Sequence, residues 1–144
     1  MPAIYNKTYR WVNGEAICVS QAVAIGHGTE LDVSQFRHVG VFIIGENDDL
    51  AAAAIATIKC KSSFKALADV NFATAQSRTN PWDYLGMYDY EDATFKDGDT
   101  GITLAGNDVR HFELNTNSVR SINFQISAYT SGKISVLVYG VNNQ

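Results

Sequence analysis

The chain has 144 residues, of which 46% are hydrophobic and 18% are charged, and it contains only two prolines. This length and composition are typical of one globular domain and exclude a disordered or collagen-like chain. We therefore expect a single domain over residues 1–144. The net charge of −4 gives no general attraction to nucleic acid. The one basic cluster, Lys59, Lys61 and Lys65, is too short to change that expectation.

The first residues, MPAIYNKTYRW, lack the apolar segment of a secretory signal. No apolar run reaches the roughly 18 residues that a membrane span requires. We therefore expect synthesis in the cytoplasm and no membrane partner. Cys18 and Cys60 are far apart and have no CxxC spacing, so we expect two buried thiols and no disulfide or metal site.

Strand-like segments dominate the first sixty residues. EAICVSQAVAI alternates, which predicts a strand with one apolar face made of Ile17, Val19, Val23 and Ile25. RHVGVFIIG is rich in β-branched residues and predicts a core strand. In AAAAIATIKCK the alanine run is short and the following letters alternate, which favours a strand over a helix.

The segment SFKALADVNFATAQSRTNP shows no strand period and predicts one long irregular loop, with a helical turn around Phe64 to Asp69. A long loop in a compact domain is often a binding element.

The next stretch, NPWDYLGMYDYED, has an aromatic residue or a glycine at every even position from Trp82 to Tyr90. A period of two predicts one extended strand with its aromatic side chains on one face. That face could be core, a sugar-stacking platform made of Trp82, Tyr84 and Tyr88, or a subunit contact. Because the opposite face is also apolar, we expect a loop or another subunit to cover it. The candidate contact residues are Trp82, Tyr84, Leu85, Met87 and Tyr88.

The last third contains two short strands and then the clearest alternation in the chain. SINFQIS places Ile122, Phe124 and Ile126 on one side. INFQISAY and KISVLVYGV flank the turn TSG and predict a hairpin. Eight or nine strands at this spacing predict an all-β fold, a single antiparallel β-sandwich that is jelly-roll-like.

No motif specifies a reaction. Asp97, Asp99 and Asp108 occupy the first, third and twelfth places of a calcium-type loop. The match fails because the fifth place is Gly101, the sixth is Ile102 and the twelfth is Asp rather than Glu. Turns explain the same letters. The three histidines have no metal-binding spacing, and there is no nucleophile elbow. We therefore expect no enzyme, no metal and no cofactor.

Three segments carry a resemblance: DVNFATAQSRTNPWDY, DGDTGITLAGNDVRHFELN and SVRSINFQISAYTSGKISVLVYG. Over residues 55–141 the chain resembles small virion proteins of tailed bacteriophages. The resemblance implies a structural role in a phage particle, most plausibly as a capsid decoration (cement) protein, and otherwise in a head fibre, tail or baseplate.

The implied partners are the major capsid protein or another virion protein, with the chain made in the host cytoplasm and located in the virion. The implied assembly is a homo-oligomer, and a trimer would fit a local three-fold position on an icosahedral shell. The competing hypothesis is a carbohydrate-binding module that uses Trp82, Tyr84 and Tyr88.

Overall fold

The computed structural model describes residues 15–141 as two six-stranded antiparallel sheets packed against each other. Sheet A runs in the order β1 (Glu15–Ala22), β12 (Lys133–Val141), β4 (His38–Glu46), β10 (Asp108–Asn115), β7 (Met87–Asp89) and β8 (Thr94–Lys96). Sheet B runs β2 (Gly26–His27), β11 (Ser121–Ser131), β5 (Ile55–Ser63), β6 (Asp83–Tyr84), with β3 (Leu31–Asp32) on β11 and β9 (Ile102–Ala105) on β5. The predicted antiparallel β-sandwich is confirmed. Within residues 15–141 there are twelve strands where eight or nine were predicted, because several have only two or three residues and are too short to show alternation.

The core lies between the sheets, and alternate residues of the long strands fill it. Ile43 of β4 and Phe112 of β10 are fully buried from sheet A. Ile122, Phe124 and Ile126 of β11 are buried from sheet B, as their alternation predicts. These apolar side chains remove most of their surface from water, which is the main favourable contribution to folding.

The predicted hairpin between β11 and β12 is wrong. β11 pairs with β5 in sheet B, whereas β12 pairs with β1 and β4 in sheet A. The chain crosses between the sheets at Gly132, whose φ is +90° and where a Cβ would lie 2.3 Å from Ala54 Cα. Alternation looks the same whether two strands lie side by side or face each other across a core, so the pattern alone does not identify the partner.

The predicted apolar face of the first strand is also wrong. Ala16 and Cys18 point into the core, while Ile17 is 60% exposed. A register shift between Ile17 and Val19 then turns Val19 inward. Gly28 passes close to this strand, since a Cβ there would lie 2.5 Å from the Cys18 carbonyl oxygen.

The long irregular loop is confirmed between β5 and β6, and it contains a short 3₁₀ helix, Leu67–Asp69. Both cysteines are buried as predicted. Cys18 donates its S–H to the Thr29 carbonyl at 3.2 Å. Burial raises the pKa of the Cys60 thiol, which keeps that sulfur in its neutral form.

Candidate functional site

The aromatic residues of segment 80–92 do not lie on one face. Tyr84 is in β6, which pairs with β5 in sheet B, and Tyr88 is in β7, which pairs with β10 in sheet A. The chain crosses between the sheets at Leu85 and Gly86, where the Leu85 amide donates to the Cys60 carbonyl at 2.9 Å. The prediction of one continuous strand is wrong, because a period of two can run through a crossing without a break.

The two apolar residues on the other side of that stretch belong to the chain's own core. Met87 is 3% exposed, and Leu85 is half-buried against the same core cluster. Their apolar character needs no external partner. The expectation that another subunit covers Leu85 and Met87 therefore loses its basis.

Trp82 and Tyr84 form a second, smaller core with Val70 and Phe72 of the long loop. Trp82 is 8% exposed. Its aromatic ring and that of Tyr84 meet edge to face, with centroids 5.3 Å apart. Since Tyr88 lies on the other sheet, Trp82, Tyr84 and Tyr88 do not make a joint platform for a sugar.

Hydrogen bonds within the long loop close it on itself. The Trp82 indole N–H donates to the Thr74 carbonyl at 2.9 Å. The side-chain amide of Asn80 accepts a hydrogen bond from the Asn71 backbone N–H at 2.8 Å and donates one to the Asn71 backbone carbonyl at 2.8 Å. It thus pairs with Asn71 as a neighbouring strand residue would. These bonds make the loop a compact structural cover, because they pair polar groups from both of its ends.

Lys61 is the cation under this cover. Its side chain is only 4% exposed, and its ammonium lies 4.1 Å from the centroid of the Trp82 ring. It donates to the Phe72 carbonyl at 2.8 Å and lies 2.9 Å from His27 Nε2. Burial, and then the charge of Lys59, lower the pKa of Lys61. Burial, and then the charge of Lys61, lower the pKa of His27.

The outer face of sheet A carries the set of rings that forms our candidate site. We call this surface the aromatic face and define it by Phe42, Tyr88, Tyr90, Phe95, His111 and Tyr139.

Strand register brings five of these residues together from five strands, and Tyr90 follows directly after β7. One row joins Ile17 of β1, Leu137 of β12, Phe42 of β4 and His111 of β10. The Tyr90 amide continues this row by donating to the His111 carbonyl at 3.1 Å. Because cross-strand partners point the same way, the row crosses the sheet as a continuous apolar and aromatic line.

The neighbouring row has the same character. It joins Tyr139, Gly40, Glu113, Tyr88 and Phe95 in register. Glycine is required in the middle, because a Cβ on Gly40 would lie 2.1 Å from Tyr139 Cζ. The tyrosine ring therefore lies across the backbone of β4.

Ring contacts link the two rows. His111 stacks on Phe42 with centroids 4.4 Å apart and lies 4.6 Å from the Tyr90 centroid on its other side. Tyr90 meets Tyr88 edge to face at 5.3 Å. Exposure increases toward the β8 edge, from 38% at Tyr88 to 70% at Phe95. Contacts of this kind fix ring orientation and contribute about 0.5–1.5 kcal/mol each beyond their buried area.

The polar atoms at the centre of the aromatic face are paired with one another. Glu113 lies 2.8 Å from His38 Nδ1 and accepts the Tyr90 hydroxyl at 2.9 Å. That hydrogen bond raises the pKa of Tyr90. His111 Nε2 lies 3.1 Å from the Tyr139 hydroxyl. The centre of the face therefore presents rings and a carboxylate that already has partners.

A buried ion cluster holds the β7–β8 edge of the face. Asp89 is fully buried, forms a salt bridge with Arg110, and lies 3.8 Å from Lys96 Nζ. The Glu91 amide donates to the same carboxylate at 2.9 Å. A buried carboxylate needs such partners, and they fix the strand that presents Tyr88.

The outer face of sheet B is different in character. Thr57 and Thr103 pair across β5 and β9 with hydroxyl oxygens 3.3 Å apart. Lys59 lies over the Tyr84 ring at 4.9 Å. The rings of sheet B are thus covered by the chain's own loop and lysines, whereas the aromatic face of sheet A has exposed rings.

Of the predicted contact residues, only Tyr88 is on the aromatic face. Sequence reasoning missed Phe42, Phe95, His111 and Tyr139. The sequence signal that could have found them is the pair of apolar runs VFIIG and VLVYG. These runs are apolar at both odd and even positions, and therefore on both faces of the strand. Such strands have two faces to cover, and only one can face the core.

The Asp97 loop closes a turn on itself. Asp97 accepts the Thr100 amide at 2.9 Å and the Thr100 hydroxyl at 3.0 Å, and these bonds lower the pKa of its carboxyl. Within residues 15–141, no three His, Cys, Asp or Glu side chains are placed to hold a metal ion. The same residues include no helix of the length and apolar character that would cross a membrane.

Comparison with solved structures finds the same fold in a phage-derived protein. The crystal structure of the SPBc2 prophage-derived protein YomS superposes with a TM-score of 0.60 and 12% sequence identity. The match covers 88% of this chain and 91% of YomS. No protein-family model and no curated protein matches the sequence. The chain therefore shares its β-sandwich fold with a prophage protein.

Proposed function

We propose that this chain is a structural protein of a tailed-phage particle, and that it acts as a capsid decoration protein which binds the assembled head as a homo-oligomer. The observation that carries the proposal is the aromatic face. Exposed, contiguous apolar surface is uncommon on monomers and marks sites of protein interaction. A centre depleted of unpaired charge and rich in tyrosine is typical of protein interfaces.

Two further observations support a phage particle as the setting. The fold is shared with YomS, which is described as prophage-derived. Residues 55–141 resemble virion proteins of tailed phages. A decoration protein gains avidity from many copies on a repeating lattice, so modest affinity at each contact is sufficient.

The experiment uses particles that lack this chain. Purified protein is mixed with them, and the mixture is sedimented through a density cushion. We expect saturable co-sedimentation with the heads. Particles that already carry the chain are the matched control and should take up none.

The same mixture distinguishes the alternative locations. Binding to separated tails but not to heads would replace the decoration role with a tail or baseplate role. No binding to heads or tails, together with saturable binding to a polysaccharide, would contradict the virion role and favour a carbohydrate-binding module.

A further inference from the structure

We propose that the aromatic face is the contact between two copies of this chain, related by a two-fold axis. The inference deepens the proposed function and rests on its homo-oligomer, for which it names the surface and the symmetry. The two sheets differ in how their rings are covered. The chain's own loop covers the rings on sheet B, whereas on sheet A Tyr90 is 48% exposed and Phe95 is 70% exposed.

The size of the face fits a dimer contact. Six strands spaced at about 4.8 Å make a face roughly 24 Å wide. β4 and β12 have nine residues each, or about 30 Å of length, and the strands at the β8 edge are shorter. The area is therefore on the order of 600 Å² per copy, or about 1,200 Å² for the pair, at the lower end of stable interfaces.

The apolar surface continues beyond the rings. Ile17 is 60% exposed at the β1 edge, and Val109 is 59% exposed beside Ile44. Leu137 fills the row between Ile17 and Phe42. Apolar sheet faces pack on each other about 10 Å apart in β-sandwiches, and a second copy supplies such a face.

The centre of the face adds little charge repulsion between two copies. Each chain has a net charge of −4, so the apolar contact must outweigh a general repulsion between the copies. Glu113 is the carboxylate at the centre of the face; it accepts the Tyr90 hydroxyl, and His38 Nδ1 lies 2.8 Å from it. The centre of the contact thus brings no unpartnered carboxylate against its own copy, and the exposed Glu15, which pairs with Tyr139 in the same row, lies at the β1 edge.

The same pairing argues against a sugar as occupant. A sugar needs donors and acceptors for its hydroxyl groups as well as rings on which to stack. The Tyr139 hydroxyl is paired with His111, and the Tyr90 hydroxyl is paired with Glu113. An apolar protein surface uses these rings without competing for those hydrogen bonds.

The test measures molar mass by sedimentation velocity on purified full-length protein over a dilution series. Val109→Asp and Phe95→Asp place a carboxylate on the face at exposed positions. In a two-fold contact each substitution enters twice, so we expect the dissociation constant to rise more than about a hundredfold. Phe64→Asp is the matched control, since Phe64 is 62% exposed and lies outside the face.

We expect a dimer for the parent chain and for Phe64→Asp, and a monomer for the two face variants. Circular dichroism should show that all four proteins are folded. A parent chain that is monomeric at about 100 µM, or a trimer that survives both face substitutions, would overturn the inference.

The same measurements distinguish two other possible occupants of the aromatic face. A parent monomer whose Phe95 resists hydroxyl-radical labelling would assign the face to residues 1–14. A parent monomer that binds a polysaccharide, with binding lost in Val109→Asp, would assign it to a glycan. Particle binding is measured separately, so a failed dimer and a failed virion role give different results.

Discussion

Replacing Lys61 with alanine tests how the long loop is held on sheet B. The side chain is 4% exposed, and its ammonium is bonded to the Phe72 carbonyl at 2.8 Å beneath the Trp82 ring. Lys61→Ala removes that bond, the cation–π contact and three methylene groups. It also leaves the Phe72 carbonyl without its ammonium partner.

The expected loss follows from these contacts. A hydrogen bond from a charged donor contributes about 1.5–3 kcal/mol. Each buried methylene contributes about 0.8 kcal/mol, and the contact with Trp82 about 0.5–2 kcal/mol. Removing a buried ammonium relieves the desolvation that lowers the pKa of Lys61, and this offsets part of the loss. The net expectation is about 2–4 kcal/mol of unfolding free energy, or a melting temperature lower by about 7–13 °C.

Lys59→Ala is the matched control. Lys59 is two residues away on the same strand and half-buried, with its ammonium 4.9 Å from the Tyr84 centroid. We expect a loss below about 1 kcal/mol. Thermal melting gives both values, and trypsin cleavage at exposed Arg78 reports the loop. Equal melting temperatures for the two variants would refute the claim that the buried Lys61 ammonium stabilises the loop.

Three other substitutions test the core, the aromatic face and the pH response. Phe124→Ala empties a fully buried site and should lower the unfolding free energy by about 3–5 kcal/mol in urea titrations. Gly40→Ala forces the Tyr139 ring aside and should cost about 1–3 kcal/mol by the same assay. His27 has a pKa below its usual 6.5 in the folded chain, so the unfolded chain binds its proton first and stability falls as pH drops below about 6.5. His27→Gln should remove this part of the pH dependence of melting, whereas an unchanged profile would contradict it.

Sequence reasoning succeeded where a strand is long and one of its faces is core. β11 has eleven residues, and the alternation of Ile122, Phe124 and Ile126 correctly predicted the buried side. The run ATIKCK was correctly read as part of a strand, which the structure extends as β5. Burial of one face imposes a period of two, and that period is visible in a single sequence.

The errors came from features that alternation does not encode. The turn at Gly132 and the crossing at Leu85 and Gly86 each carry the chain to the opposite sheet, so the predicted hairpin and the predicted single aromatic strand were wrong. The bulge near Ile17 changes which residues point inward without changing the pattern of letters. Partner choice and bulges depend on distant residues such as Gly28.

The aromatic face is another feature that alternation in the sequence does not encode. Its rings come from segments up to about 100 residues apart, from Phe42 to Tyr139, and only the register of β4, β10 and β12 brings them together. Apolar residues on both faces of β4 indicate that its outer side also needs cover. Which residues form that outer surface depends on the register of the assembled sheet and cannot be read from one strand.

The most direct measurement of the proposed virion role is the copy number of this chain in purified particles of the phage that, on this proposal, encodes it. Quantitative mass spectrometry gives the ratio of this chain to the major capsid protein. A decoration role predicts a fixed stoichiometric ratio that remains with heads after tails are removed. Absence of the chain from purified particles would contradict the account.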